Sequence, residues 1–208
     1  MIAGILITSN FNIKKYLHSR RGLNFDLIFF IMKKIFIIIT AIFLVNGSIF
    51  AQSQAEISRD DKGNKILKGI ISRNELENDT AFTSWWAENL KGYTPQSQAV
   101  AELRKNTNIQ FITFMGTWCG DSKFIIPKFY SLLDAAGFPQ DKVTLIGVDR
   151  SKKTLSHLTE ALNVINVPTI IVMSNGKEVG RVVEYGKYGL FDKELGEIIA
   201  SIPASPGQ

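Results

Sequence analysis

The chain has one cysteine, Cys119, in the stretch Gly116-Thr117-Trp118-Cys119-Gly120-Asp121-Ser122-Lys123. Before it runs Ile109 to Met115, a series of β-branched and aromatic residues that reads as a buried strand. After it, Asp121 to Ala136 has helical texture. The thiol therefore stands where a strand hands over to a helix. Unpaired N–H groups and the positive end of the helix dipole favour an anion there. A thiolate is such an anion, so Cys119 is expected to be nucleophilic. Lys123 adds positive charge nearby, while Asp121 opposes it. A quieter alternative stays open, in which Cys119 is a small buried apolar residue. No other chemistry competes. His157 has no cysteine or histidine partner and reads as a surface residue, so no structural zinc site is expected. The chain also lacks a glycine-rich phosphate loop and a serine–histidine pair in suitable context, and no cofactor is expected.

The elements that must position this loop follow an alternating pattern. Residues 52–64 are polar and read as a flexible start, and Ile66 to Ile71 as a short strand. Asp79 or Thr80 caps a helix through Trp85, Trp86 and Leu90, and Ser97 to Lys105 forms another. Lys142 to Val148 is a second buried strand and Leu155 to Leu162 a shorter helix. Thr169 to Met173 and Glu178 to Val183 form a hairpin around Asn175-Gly176. Leu190 to Ile202 closes the chain with Leu195, Ile198, Ile199 and Ile202 at helical spacing. The result is an α/β class with a central mixed sheet flanked by helices and an N-terminal helical extension. Trp85, Trp86 and Tyr93 are read as packing that extension onto the sheet, with an aromatic lip over the site as the alternative. The body divides into 52–107, the polar start with its strand and helices, then a core at 108–202 and a tail at 203–208.

Charge separates a leader from this body. Of the 24 Lys/Arg and 19 Asp/Glu residues in the 208, six and one respectively lie in 1–51, leaving 18 of each beyond. The net +5 thus belongs to the leader, and no basic stripe suits nucleic acid. Arg150 to Lys153 reads as a solvated loop. Met32-Lys33-Lys34, the apolar run Ile35 to Val45 and the small Ala51 describe a secretory signal at 32–51, cut before Gln52, with an uncleaved anchor as the alternative because Ile49 stands where a smaller residue is usual. The run is shorter than the about 20 residues of a membrane span. Contact with a membrane is therefore expected only in transit, and the product is expected to be periplasmic or extracellular. Residues 1–31 fit poorly ahead of such a signal and read as an over-long start, with Met32 the true initiator.

Several motifs in order resemble the thioredoxin family. FITFMGTWCGDSKFIIP is similar to that family's strand, active-site loop and proline-interrupted helix, with Trp118, Cys119, Gly120, Lys123 and Pro127 matching. Val167-Pro168-Thr169 resembles its X-Pro-Thr step, which implies a cis Pro168 facing Cys119. Together with Asp121 and Glu184, that step implies a substrate groove. The departures are equally specific. Ser122 stands where the family has its resolving cysteine, Asp121 where it has a loop proline, Thr113 where it has a buried acid and Glu184 where it has a glycine.

The resemblance implies thiol–disulfide exchange with disulfide- or thiol-bearing proteins or small thiols, of isomerase or reductase type. Ser122 forms no disulfide, so release of a mixed disulfide needs an outside thiol. Its expected role is a hydrogen bond to the Cys119 sulfur that favours the thiolate. The second reading is a redox-inactive binding or chaperone-like module that kept the groove.

Overall fold

The computed structural model describes residues 28–36 and 55–203. These fall in two units, divided after Gln52. In the first, 28–36 form a helix, α1, with Phe29, Phe30, Met32 and Phe36 exposed. Lys33 and Lys34 lie over the rings of Phe29 and Phe30, one helical turn back. Residues 37–51 of the expected signal segment lie outside the described residues, as do 1–27 and the tail from 204.

The second unit is built on one six-stranded sheet in the order β1-β2-β4-β3-β5-β6. Its strands are β1 (Ala55–Arg59), β2 (Lys65–Ile71), β3 (Ile109–Met115), β4 (Val143–Gly147), β5 (Thr169–Ser174) and β6 (Lys177–Val183). Only β3 and β4 run parallel. Side chains alternate across a strand, and β3 buries both faces. Phe111 and Met115 enter the larger apolar cluster with α3 (Thr83–Leu90), α4 (Ser97–Lys105), α5 (Gly120–Ala136) and α7 (Phe191–Ala200). Phe114 enters a smaller one with Ile146, Val148, Val164, Val167 and Ile171, against which Trp118 and Cys119 pack. The reactive loop thus leaves the central strand at the edge of the smaller cluster.

Close packing at the other side of β4 depends on glycine. A Cβ on Gly147 would stand 2.3 Å from the Leu67 carbonyl oxygen, so β2 and β4 reach their spacing only without one.

Three elements differ from expectation. The polar start is a strand: β1 pairs with β2 from Ala55↔Gly69 to Arg59↔Lys65. Its turn is closed by the Asp60 carboxylate, which accepts from the N–H groups of Lys62 and Asn64 at 2.9 Å each. A short helix, α2 (Arg73–Asn78), precedes the one expected from Asp79, with a full capping box between Ser72 and Glu75. Asp79 does not cap α3, which begins at Thr83. Asp79 instead pairs with Lys65 and accepts from the Ala81 N–H. The helix expected at Leu155 to Leu162 is broken. Ser156 and His157 take φ of 56° and 54°, splitting a 3-10 turn (Leu155–His157) from α6 (Leu158–Ala161).

Candidate functional site

Cys119 is the N-cap of α5, in extended conformation, and its carbonyl accepts the first helical bond from the Lys123 N–H at 3.0 Å. Its own N–H turns back to the Gly116 carbonyl at 2.9 Å, tightening the loop. The helix carries Pro127 inside and stops at Gly137, whose φ of 67° is the left-handed geometry that ends helices. The thiol is partly buried, and its Sγ donates to the Val167 carbonyl at 3.3 Å.

The Val167–Pro168 bond is cis. Val167 is buried, as is Thr169, whose hydroxyl donates to the Asn166 carbonyl at 2.7 Å. The Pro168 carbonyl accepts from the Glu184 N–H at 2.7 Å. Glu184 has a φ of 54°, a left-handed geometry that glycine adopts more readily. Cys119, Val167, Pro168 and Glu184 are thereby linked in one chain of contacts. Asp121 joins them from the first turn of α5 by accepting from the Tyr185 hydroxyl at 2.9 Å. That bond to a carboxylate is the main cause that raises the Tyr185 phenol above its usual range. The Tyr185 ring also lies 5.5 Å from that of Phe124.

Ser122 lies on the inner side of the loop. It is fully buried, and its Oγ accepts from the Gly116 N–H at 3.1 Å. The hydroxyl oxygen closes the loop from inside, while the Cys119 sulfur meets the Val167 carbonyl. Thr113 is also fully buried, and its Oγ1 has no hydrogen-bond partner.

Lys123 is half-buried on the same turn of α5. Trp118 is held through its indole N–H to the Val148 carbonyl at 3.1 Å. Arg150, expected as part of a solvated loop, lies over the Trp118 ring at 5.4 Å. Neither Arg150 nor Tyr185 was marked by sequence, since both reach the loop through the sheet order. Lys128 was missed as well. Its ammonium sits on the Phe124 ring, 2.8 Å from the centroid, and burial pushes it down from the ordinary lysine range.

Trp85, Trp86 and Tyr93 belong to the larger cluster. The Trp86 ring lies tilted against Tyr130, with centroids 5.9 Å apart, and the Tyr93 hydroxyl donates to Asp192 at 2.9 Å. They pack the extension. His157 is 91% exposed. Among the described residues no group of three or more His, Cys, Asp or Glu is placed to hold a metal ion.

A mixed sheet of this kind, with a cysteine capping the helix after its central strand and facing the carbonyl before a cis-proline, defines a thioredoxin-fold thiol site. The family model for thioredoxin matches residues 94–193. Thioredoxin H9 of Arabidopsis thaliana is 30% identical over 107 residues, covering 51% of this chain and 71% of that protein. A thioredoxin of Chlamydia pneumoniae is 32% identical over 89 residues, covering 43% and 76%. Among solved structures, oxidised mitochondrial thioredoxin 3 of Saccharomyces cerevisiae is similar at 21% identity and a TM-score of 0.34, over 48% of this chain and 84% of that one. The chain belongs to the thioredoxin family, whose general chemistry is thiol–disulfide exchange.

Proposed function

We propose that this protein performs monothiol thiol–disulfide exchange through Cys119, and that it does so outside the cytoplasm. One observation carries the reading. The Cys119 sulfur lies against the Val167 carbonyl beside cis-Pro168, while the residue three positions on is a buried serine. In the first step the Cys119 thiolate attacks one sulfur of a substrate disulfide. A new S–S bond joins Cys119 to that sulfur, the old bond breaks, and the other sulfur leaves as thiolate. Ser122 cannot complete the cycle, because a hydroxyl forms no disulfide. An external thiolate must attack the mixed disulfide and return Cys119 as thiolate. Where that thiol belongs to the same substrate, the outcome is isomerisation; where it is a small thiol, it is removal of a thiol cap.

The test uses the full chain, reduced, mixed with glutathione disulfide and followed by intact mass. The expected product carries one glutathionyl group on Cys119, formed faster than on the denatured chain and removed by added reduced glutathione. A native rate no higher than the denatured one would turn the reading to a binding module.

Export rests on the leader pattern Met32 to Ala51. A secreted product beginning at Gln52 on N-terminal sequencing supports it, and a mature protein that retains Met32 or Met1 overturns it.

A further inference from the structure

We infer that Asp60 and Arg150 are positioning residues for Trp118 and, through it, for the loop that carries Cys119. The kinetic arm of the test rests on the exchange reading; the structural arm does not.

Trp118 is held on three sides. Its indole N–H is bonded to Val148. Its ring lies so close over Gly116 that a Cβ there would stand 2.8 Å from Cε2. The Arg150 guanidinium covers it. Arg150 follows β4 on a turn, and its side chain is 50% exposed. A long exposed arginine samples many rotamers and would not stay over the ring unaided.

Asp60 supplies the aid. Its carboxylate, only 4% exposed, meets Arg150 Nη2. It is already fixed by the N–H groups of Lys62 and Asn64 and, at 3.0 Å, by the Asn64 side-chain amide. Three donors besides Arg150 make this carboxylate a prearranged acceptor, whose place is set by the β1–β2 turn. That contact with Arg150 is also the first cause that holds the Asp60 carboxyl below its usual range.

Burial does not account for β1. Four of the five β1 residues are exposed, and the one large apolar residue among them, Ile57, is 63% exposed. What β1 provides is the turn that holds Asp60. A second tie comes from β2. The Thr117 hydroxyl donates to the Lys65 carbonyl at 3.1 Å and accepts from the Leu67 N–H at 3.3 Å. A third is the ion pair of Lys68 with Asp149 at 3.0 Å, one residue before Arg150. The hairpin therefore grips the loop at Thr117 and covers Trp118 through Arg150. An ion pair whose arginine is half-exposed adds little to stability, so the effect belongs in the order of the loop.

The test labels the full chain with 5-fluorotryptophan and reads the fluorine resonances of Trp85, Trp86 and Trp118, the last assigned with Trp118→Phe. Asp60→Asn and Arg150→Gln are each expected to shift and broaden the Trp118 resonance while leaving the other two in place. Each is also expected to slow the reaction of Cys119 with 5,5′-dithiobis(2-nitrobenzoate) by roughly three- to tenfold, as misplacement of a reacting group does. The double variant is expected to be no slower than either single one, because both remove the same contact. Arg150→Lys, which keeps the charge and loses the planar stack, is expected to fall between. An unmoved Trp118 resonance, or strictly additive rate effects, would overturn the inference. If native Cys119 proves unreactive, the exchange reading fails alone and the fluorine shifts still decide on positioning.

Discussion

The first turn of α5 has an outer and an inner side, and the two carry different amounts of chemistry. Outside, Cys119 meets the Val167 carbonyl and cis-Pro168, flanked by Asp121 bonded to Tyr185. Inside, Ser122 and Thr113 are fully buried with neither a thiol nor a carboxylate between them. The outer side offers what a disulfide must meet in the attacking step. The inner side holds nothing that can release the product. On the proposed reading, the fold keeps the half of an exchange reaction that faces solvent and leaves the other half to its surroundings.

The largest expected effect removes the outer side. Cys119→Ser should abolish mixed-disulfide formation entirely, since the chain has no second thiol, and intact mass after glutathione disulfide treatment checks it. Next comes restoring the inner side. Ser122→Cys should release the glutathione mixed disulfide without added thiol, about 100-fold faster or more than the native chain does, because the attack becomes intramolecular. The replacement deprives the Gly116 N–H of its oxygen acceptor, at a cost of about 1 kcal/mol. A mixed disulfide that persists in this variant would mean that the inner side is closed by geometry as well as by residue type.

Sequence revealed the outer side better than the inner one, for physical reasons. Strand β3, the loop, α5 and the β5–β6 hairpin each carry a dense local signal: buried β-branched runs, a glycine-bounded loop, an Asn-Gly turn. Trp118 and Cys119 are legible from residue type alone. The loop-closing bond of Ser122 is not, because the Gly116 N–H that its oxygen accepts from comes within reach only in the folded loop. Strand β1 carries too weak a signal, because Ile57 is its one large apolar residue and lies exposed. The capping box of α2 was legible in Ser72 and Glu75, but six residues around one buried Leu76 show no periodicity. Arg150, Asp60 and Tyr185 act across separations of 64 to 90 residues, which only the sheet order brings together.

A smaller effect is expected where the two sides share a boundary. Gly116 lies under the Trp118 ring and also donates its N–H to Ser122. Gly116→Ala forces a methyl to within 2.8 Å of the indole, and overpacking of this kind costs about 1–3 kcal/mol. Urea unfolding should show that loss together with slower Cys119 alkylation. A stability loss with unchanged alkylation would separate the two sides more sharply than the structure does.

The smallest effect isolates the inner side alone. Thr113 places a hydroxyl in the apolar interior with no partner, and an unsatisfied buried polar group of this kind costs about 1–3 kcal/mol. Valine has nearly the same shape and no hydroxyl, so Thr113→Val should stabilise the protein by about 1 kcal/mol, read as a higher urea midpoint at unchanged slope. Mixed-disulfide formation at Cys119 should stay at the native rate, because the attack on the outer side draws on nothing that Thr113 holds. A slower exchange in this variant would give the Thr113 hydroxyl a part in the reaction and join the two sides into one machine.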